Sequence, residues 1–267
     1  MTALLSLRDL TIDAGAGPLV HGVRLELSPG KVLGLVGESG SGKSLTVMSV
    51  PGLLPQGCRI AAGEILLDGR NLADMPDRDL GRIRGREIGV VFQDPFTSLN
   101  PVRRVGSLIE ESLRRHSGLG AAAARRRAIE ALDQVGLPDP EAKARAYPHQ
   151  MSGGQRQRAL IALALANGPR LLIADEPTTA LDATVQVEIL DVLRRSVERV
   201  DGAVLFVTHD LGAAAYLCDE IAVMRGGKIL EHGSTRDIIT NPTHPYTLEL
   251  LACSPRLPAL RAAGDGL

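Results

Sequence analysis

The chain has 267 residues, 44% of them hydrophobic and 23% charged, the balance of an ordinary globular protein with a sizeable core. A formal net charge of −1 excludes a global field that would recruit nucleic acid or an anionic membrane, and an aromatic content of 2% leaves the core to aliphatic side chains. Cys58, Cys218 and Cys253 lack C-x-x-C spacing, which argues against a disulfide framework, a zinc site or an iron–sulfur cluster and fits a reducing compartment.

In chain order, Met1–Asp9 has no basic region followed by an apolar core, so no signal peptide is expected. Residues 4–12 and 19–27 alternate apolar and polar (Leu5, Leu7; Val23, Leu25, Leu27), which predicts antiparallel strands around Gly15-Ala16-Gly17-Pro18. After the turn at Ser28-Pro29-Gly30, Lys31–Val36 predicts a buried strand, and a helix is expected to begin near Leu45. Gly63–Gly69 reads as an edge strand ending in an Asp-Gly turn, and Ile88–Phe92 as another short strand. From Val102 to Arg145 no strand-like run occurs. Ser107–Arg115 and Ala121–Val135 predict amphipathic helices, with Gly136-Leu137-Pro138 stopping the second. The Arg125-Arg126-Arg127 run reads as a solvated helix face rather than a nucleic-acid patch.

Helices are then predicted over Gln155–Ala166, Val185–Val200 and Leu211–Leu217, and buried strands over Arg170–Ala174 and Ala203–Thr208. Glu220–Met224 and Lys228–His232 predict a hairpin over Arg225-Gly226-Gly227, and the proline-bearing tail from Asn241 is expected to be loosely ordered beyond about Leu260. The longest apolar stretch, Ala159–Ala166, is far short of the about 20 residues that span a bilayer, so the chain is expected to be cytoplasmic and to reach a membrane through a partner. Buried strands alternating with helices predict an α/β fold with a mostly parallel sheet, an antiparallel β edge and an inserted α-helical subdomain. The expected division is 1–94 core, 95–150 helical insertion, 151–240 core continued and 241–267 tail.

Gly37-Glu38-Ser39-Gly40-Ser41-Gly42-Lys43-Ser44, between a strand and a helix, has the spacing of a phosphate-binding loop and points to the P-loop NTPase class. Its glycines let successive backbone N–H groups turn toward phosphate oxygens, and the helix that follows adds its positive end. Lys43 is expected to reach the β- and γ-phosphates and the Ser44 hydroxyl to hold Mg²⁺. Leu171–Glu176 is an apolar strand ending in two carboxylates: Asp175 is placed to steady Mg²⁺, and Glu176 to polarise a water attacking the γ-phosphate. Met151-Ser152-Gly153-Gly154-Gln155 forms a second anion-binding helix start, with Ser152 as cap. One nucleotide seldom needs two such loops on one chain, so the second is read as serving the nucleotide of a second copy.

These residues together resemble the ATP-binding subunit of an ABC transporter. Gly37–Ser44 resembles Walker A, Leu171–Glu176 Walker B, and Met151–Gln155 the LSGGQ signature with Met for Leu. Gln93 in Val91–Pro95 matches the Q-loop, Thr179-Ala180-Leu181-Asp182 the D-loop, and His209 in Val207–Asp210 the switch histidine. The resemblance implies two copies paired head to tail with two ATPs between them. Gly37, Glu38, Ser39, Gly40, Ser41, Gly42, Lys43, Ser44 and Leu45 of one copy, and Ser152, Gly153, Gly154, Gln155 and Asp182 of the other, would then bind nucleotide. It implies Ser44, Gln93 and Asp175 around Mg²⁺, and Glu176, His209 and Gln93 in catalysis. It further implies integral-membrane permease partners, a second ATP-binding subunit, identical or homologous, and indirectly a solute-binding protein, at the cytoplasmic face of the plasma membrane. Gln93 and Phe96–Pro101 would lie at the groove that receives a permease helix.

Phe96–Pro101, Asp175–Asp182 and Asn241-Pro242-Thr243-His244-Pro245-Tyr246-Thr247 resemble the peptide/nickel importer branch, and Pro18–Val23 with Ala62–Leu66 look most like its nickel-import subunits. Two departures stand out. Ile12, Asp13 and Ala14 occupy the place where the family usually sets an aromatic against adenine, so an aliphatic substitute is expected to weaken base affinity. The C-terminal region carries only Cys253, so a cluster-binding tail is not expected. The rival from another class is a soluble ABC ATPase acting on DNA or the ribosome, and a third reading is a nucleotide-regulated binding module without turnover. The short insertion and single motif set speak against the former, and the presence of Glu176 and His209 against the latter.

Overall fold

The structure, a computed structural model, describes residues 3–15, 17–179, 181–200 and 202–253. Ala180 of the D-loop and the region beyond Leu260 lie outside the described residues.

The alternating N-terminal segments form β1 (Leu5–Asp13) and β2 (Pro18–Leu27), paired antiparallel, and their apolar positions Leu5, Leu7, Leu10, Val23, Leu25 and Leu27 are buried. The run that follows is β3 (Val32–Val36), buried at every position, and the glycine-rich loop after it opens α1 (Lys43–Ser49). The next strand, β4 (Arg59–Leu67), begins before Gly63 and is not an edge. It lies between β1 and the two-residue β5 (Arg70–Asn71) across the expected Asp68-Gly69 turn. The Asn71 carboxamide oxygen accepts from the Ile65 and Ala73 N–H groups, and this side-chain bond lets so short a strand hold an edge.

Then come α2 (Asp77–Ile83), β6 (Ile88–Val91), α3 (Pro95–Ser98), α4 (Val105–Ser117), α5 (Ala121–Gln134) and α6 (Pro140–Arg145). Of these, α2, α3 and α6 were not expected. They are followed by α7 (Gly153–Leu165), β7 (Leu171–Asp175), α8 (Ala183–Val200), β8 (Ala203–Thr208) and α9 (Leu211–Leu217). The chain continues through β9 (Glu220–Arg225), β10 (Lys228–Ser234), α10 (Thr235–Thr240) and α11 (Pro245–Ala252), the last inside a stretch read from sequence as tail.

Two compact units result. The first holds residues up to Met75 and from Leu205 onward; the second spans Pro76–Val204. In the first, one sheet runs β2-β1-β4-β5, and other strands run β10-β9-β3-β8. Parallel pairing sets Leu33 opposite Glu220 and Val36 opposite Val223, and β9–β10 is the expected hairpin. In the second unit β6 and β7 pair in parallel, Ile88 opposite Leu171 and Val91 opposite Ala174, with α7 packed on β6 and on α8. There α5 buries Ala124, Ala128, Ala131 and Leu132 at helical spacing, while Arg125 and Arg126 are exposed, as a solvated face requires. Among the described residues no helix is long and apolar enough to cross a membrane.

Candidate active site

The first unit carries the phosphate-binding loop and His209. Buried β3 delivers the chain to Gly37, and a Cβ there would stand 2.1 Å from the Met224 carbonyl oxygen, so only glycine lets β9 pass this close. Gly42, at φ +101, turns the loop into the first turn of α1. Lys43 is 4% exposed and its ammonium donates to the Gly37 and Glu38 carbonyl oxygens, both at 2.8 Å, bracing the loop from inside. The buried Ser41 hydroxyl has no hydrogen-bond partner. An orphan polar atom inside a glycine cradle at a helix start fits a phosphate group and its metal ion. His209 stands exposed just past β8, while Asp210 caps α9 by accepting from the Gly212 and Ala213 N–H groups.

The second unit gathers the remaining predicted residues. Buried β7 ends at Asp175, 7% exposed. Glu176 follows at φ +46, a left-handed conformation that costs a non-glycine residue about 1–2 kcal/mol. Strain of this kind collects at functional positions. The Glu176 carboxylate accepts from the Gln93 amide at 3.0 Å and from the Thr179 hydroxyl at 3.0 Å. The Q-loop and the end of β7 are therefore joined directly, 83 residues apart in sequence.

Ser152 caps α7 as expected, and Gln155 completes a reciprocal capping box: the Ser152 hydroxyl accepts from the Gln155 N–H, and the Gln155 carboxamide oxygen accepts from the Ser152 N–H and from Lys143. A Cβ on Gly154 would meet a Val185 methyl at 2.6 Å, so this glycine lets α7 approach α8. Gly153 has no such neighbour closer than Leu181 at 3.9 Å. Asp182 caps α8 by accepting from the Thr184 and Val185 N–H groups. The signature and D-loop segments thus sit side by side.

Ile12 is fully buried in the antiparallel sheet and offers no face to a base, and Asp13 is paired with Arg59 at 3.1 Å, so the aliphatic substitute expected for the missing aromatic is not Ile12. Two residues to which the motifs assign no role matter here. Thr179 orients Glu176. Arg156 donates to the Pro148 and Met151 carbonyl oxygens while its guanidinium lies 3.7 Å over the ring of exposed Phe96, tying the signature loop to the segment after Gln93. An aromatic three residues past Gln93 and an arginine after the signature glutamine were the available signals.

The family model described as "ABC transporter" matches residues 20–179. The oligopeptide transport ATP-binding protein OppD of Bacillus subtilis is 45% identical over 270 residues, covering 99% of this chain and 75% of that protein. The dipeptide transport ATP-binding protein DppD of Lactococcus lactis is 47% identical over 243 residues, covering 91% of this chain and 70% of that protein. Among solved structures, the ATP-binding cassette MJ0796, a dimer in a post-hydrolysis state with ADP and Pi, superposes with a TM-score of 0.77 at 30% identity, covering 87% of this chain and 99% of that one. CbiO1 of Clostridium perfringens, part of a CbiONQ transporter complex, gives a TM-score of 0.79 at 25% identity, covering 98% of this chain and all of that one.

Proposed function

The chain belongs to the ABC transporter family of ATP-binding proteins, and from that premise we propose that it powers uptake of peptides through permease subunits at the cytoplasmic face of the membrane. It is an ATPase, and it is the ATP-hydrolysing subunit of an importer rather than an enzyme acting on DNA or the ribosome. Peptide is favoured over nickel because the relatives described above are named for oligopeptides and dipeptides.

The observation that carries the reading is the Gln93–Glu176–Thr179 cluster at the end of buried β7. Glu176, held by Gln93 and Thr179, acts as general base and takes a proton from the attacking water. Gln93 donates to that carboxylate and orients the same water. His209 steadies the γ-phosphate. Lys43 and the loop between Gly37 and Leu45 form the site for the β- and γ-phosphates. Ser44, Gln93 and Asp175 are the side chains that would hold Mg²⁺, whose chemistry is to neutralise charge developing on the phosphate oxygens. Ser152, Gly153, Gly154, Gln155 and Asp182 belong to a facing copy's nucleotide, so each reaction centre is completed by a second ATP-binding subunit. Gln93 and Phe96–Pro101, where Phe96 is exposed, lie at the groove that receives a permease helix.

Glu176→Gln tests the assignment, because it keeps the shape and removes the base. Turnover is expected to fall to near background while ATP-dependent dimerisation survives on size-exclusion chromatography. Normal turnover in that variant would remove Glu176 from the role.

A further inference from the structure

Asn241–Thr247, which resembles a feature of the importer branch, leads into α11. In the structure it becomes the docking point of α11 on the phosphate-binding loop. The Thr243 hydroxyl and N–H donate to one oxygen of Glu231 at 2.8 and 2.7 Å, and the His244 N–H to the other at 3.2 Å. His244 in turn caps the helix, its Nδ1 accepting from the Tyr246 N–H at 3.1 Å. This anchoring places Tyr246, only 4% exposed, so that its hydroxyl accepts the backbone N–H of Glu38 at 3.1 Å, across 208 residues of sequence.

Glu38 is the acidic member of a loop built to take a triphosphate, where a free carboxylate would repel the ligand. Arg225 answers that charge. Its Nε lies 3.2 Å from the Glu38 carboxylate, a second nitrogen lies 3.9 Å from Glu249 of α11, and its guanidinium covers the Tyr246 ring at 4.4 Å. The same turn is tied to the loop again, since the Gly227 N–H donates to the Ser41 carbonyl oxygen at 2.9 Å. The Arg225 pair is half exposed, so its direct electrostatic contribution is small and screened by salt. The buried Tyr246 hydroxyl carries more of the effect.

We propose that Tyr246 is a positioning residue for nucleotide binding: its hydroxyl fixes the first peptide of the phosphate-binding loop, while Arg225, stacked on its ring, holds the Glu38 carboxylate aside. The proposal rests on the ATP-binding reading above. Glu38 then contributes no N–H to phosphate. Its N–H belongs to Tyr246, and the cradle proper begins at Ser39.

Tyr246→Phe in the full chain deletes the hydroxyl and keeps the ring under Arg225. MgATP and MgADP binding by titration calorimetry, steady-state KM and kcat, and the nucleotide-free melting temperature are measured for both proteins. Loss of one such hydrogen bond is expected to raise Kd and KM about 3- to 10-fold, with kcat at saturation within twofold and the nucleotide-free melting temperature lowered by about 2–4 °C. Unchanged Kd and KM overturn the proposal, as does an equal loss of affinity in Ile238→Val, a core change in α10 with a similar loss of melting temperature and no contact with the loop shown. If Tyr246→Phe fails to fold, Arg225→Gln serves instead, expected to raise Kd about twofold at low salt and not at 1 M salt, where the pair is screened; no rise at low salt overturns the proposal. Failure of the wild-type chain to bind either nucleotide strikes the ATP-binding reading itself, whereas wild-type binding with indifferent variants strikes only the role of Tyr246.

Discussion

Thr179→Val isolates the device that aims the Glu176 carboxylate, the proposed general base. Valine keeps the β-branched shape and χ1 preference of threonine, so packing and backbone stay in place. The Thr179 N–H to Glu176 carbonyl bond at 3.2 Å, which supports the left-handed Glu176 backbone, also survives. What disappears is one hydroxyl donor at 3.0 Å from the carboxylate. A hydrogen bond to a charged group contributes about 1.5–3 kcal/mol, and partial solvent access at Glu176 puts this one near the low end. If the bond acts by holding Glu176 toward water in the transition state, a loss of about 1.4 kcal/mol appears as about a tenfold fall in kcat with KM for ATP unchanged. Steady-state ATPase assays on the assembled, concentration-saturated protein measure both. Pairing the change with Gln93→Ala closes a double-mutant cycle, and two donors on one carboxylate are expected to be non-additive. An unchanged kcat, or an effect confined to KM, would refute the orienting role of Thr179.

Two further outcomes follow from the geometry. Gly37→Ala sets a Cβ against the immovable Met224 carbonyl at 2.1 Å; the resulting overpacking costs about 1–3 kcal/mol, lowers the melting temperature by several degrees and cuts ATP affinity at least tenfold by calorimetry. Burial raises the Glu231 pKa, but the hydrogen bonds from Thr243 and His244 outweigh it and hold the carboxyl below its usual value. A depressed folded-state pKa means stability present above the unfolded value near 4.3 and lost as pH falls through the folded one. The melting-temperature gap between wild type and Glu231→Gln is therefore expected to hold above pH 6 and to close on acidification below pH 4.

Some short elements escaped the sequence for an identifiable reason. α3, α6 and α11 each open with proline, which reads locally as a break, yet each is started by a side-chain cap: Asp94 accepting from Phe96, Asp139 from Ala142, and His244 from Tyr246. Proline at the first helical position costs little because its missing N–H would be unpaired there anyway. The interior position of β4 escaped as well, because its second partner is two residues long and depends on the Asn71 side chain.

By itself the sequence determined what is written in near neighbours: the buried strands, from runs such as Val32–Val36 and Ala203–Thr208, and the phosphate-binding loop, from glycine spacing. Local sterics and apolar periodicity act within a few residues, so they are legible in one dimension. Only the tertiary structure decided which distant groups share a hydrogen bond. Gln93 meets Glu176 and Tyr246 meets Glu38 because strand pairing carries each segment to its partner. The motif resemblance set Gln93 and Glu176 at one site without giving their bond, and nothing in Asn241–Thr247 announced Glu38, since such contacts depend on how the chain is packed rather than on what stands beside them in it.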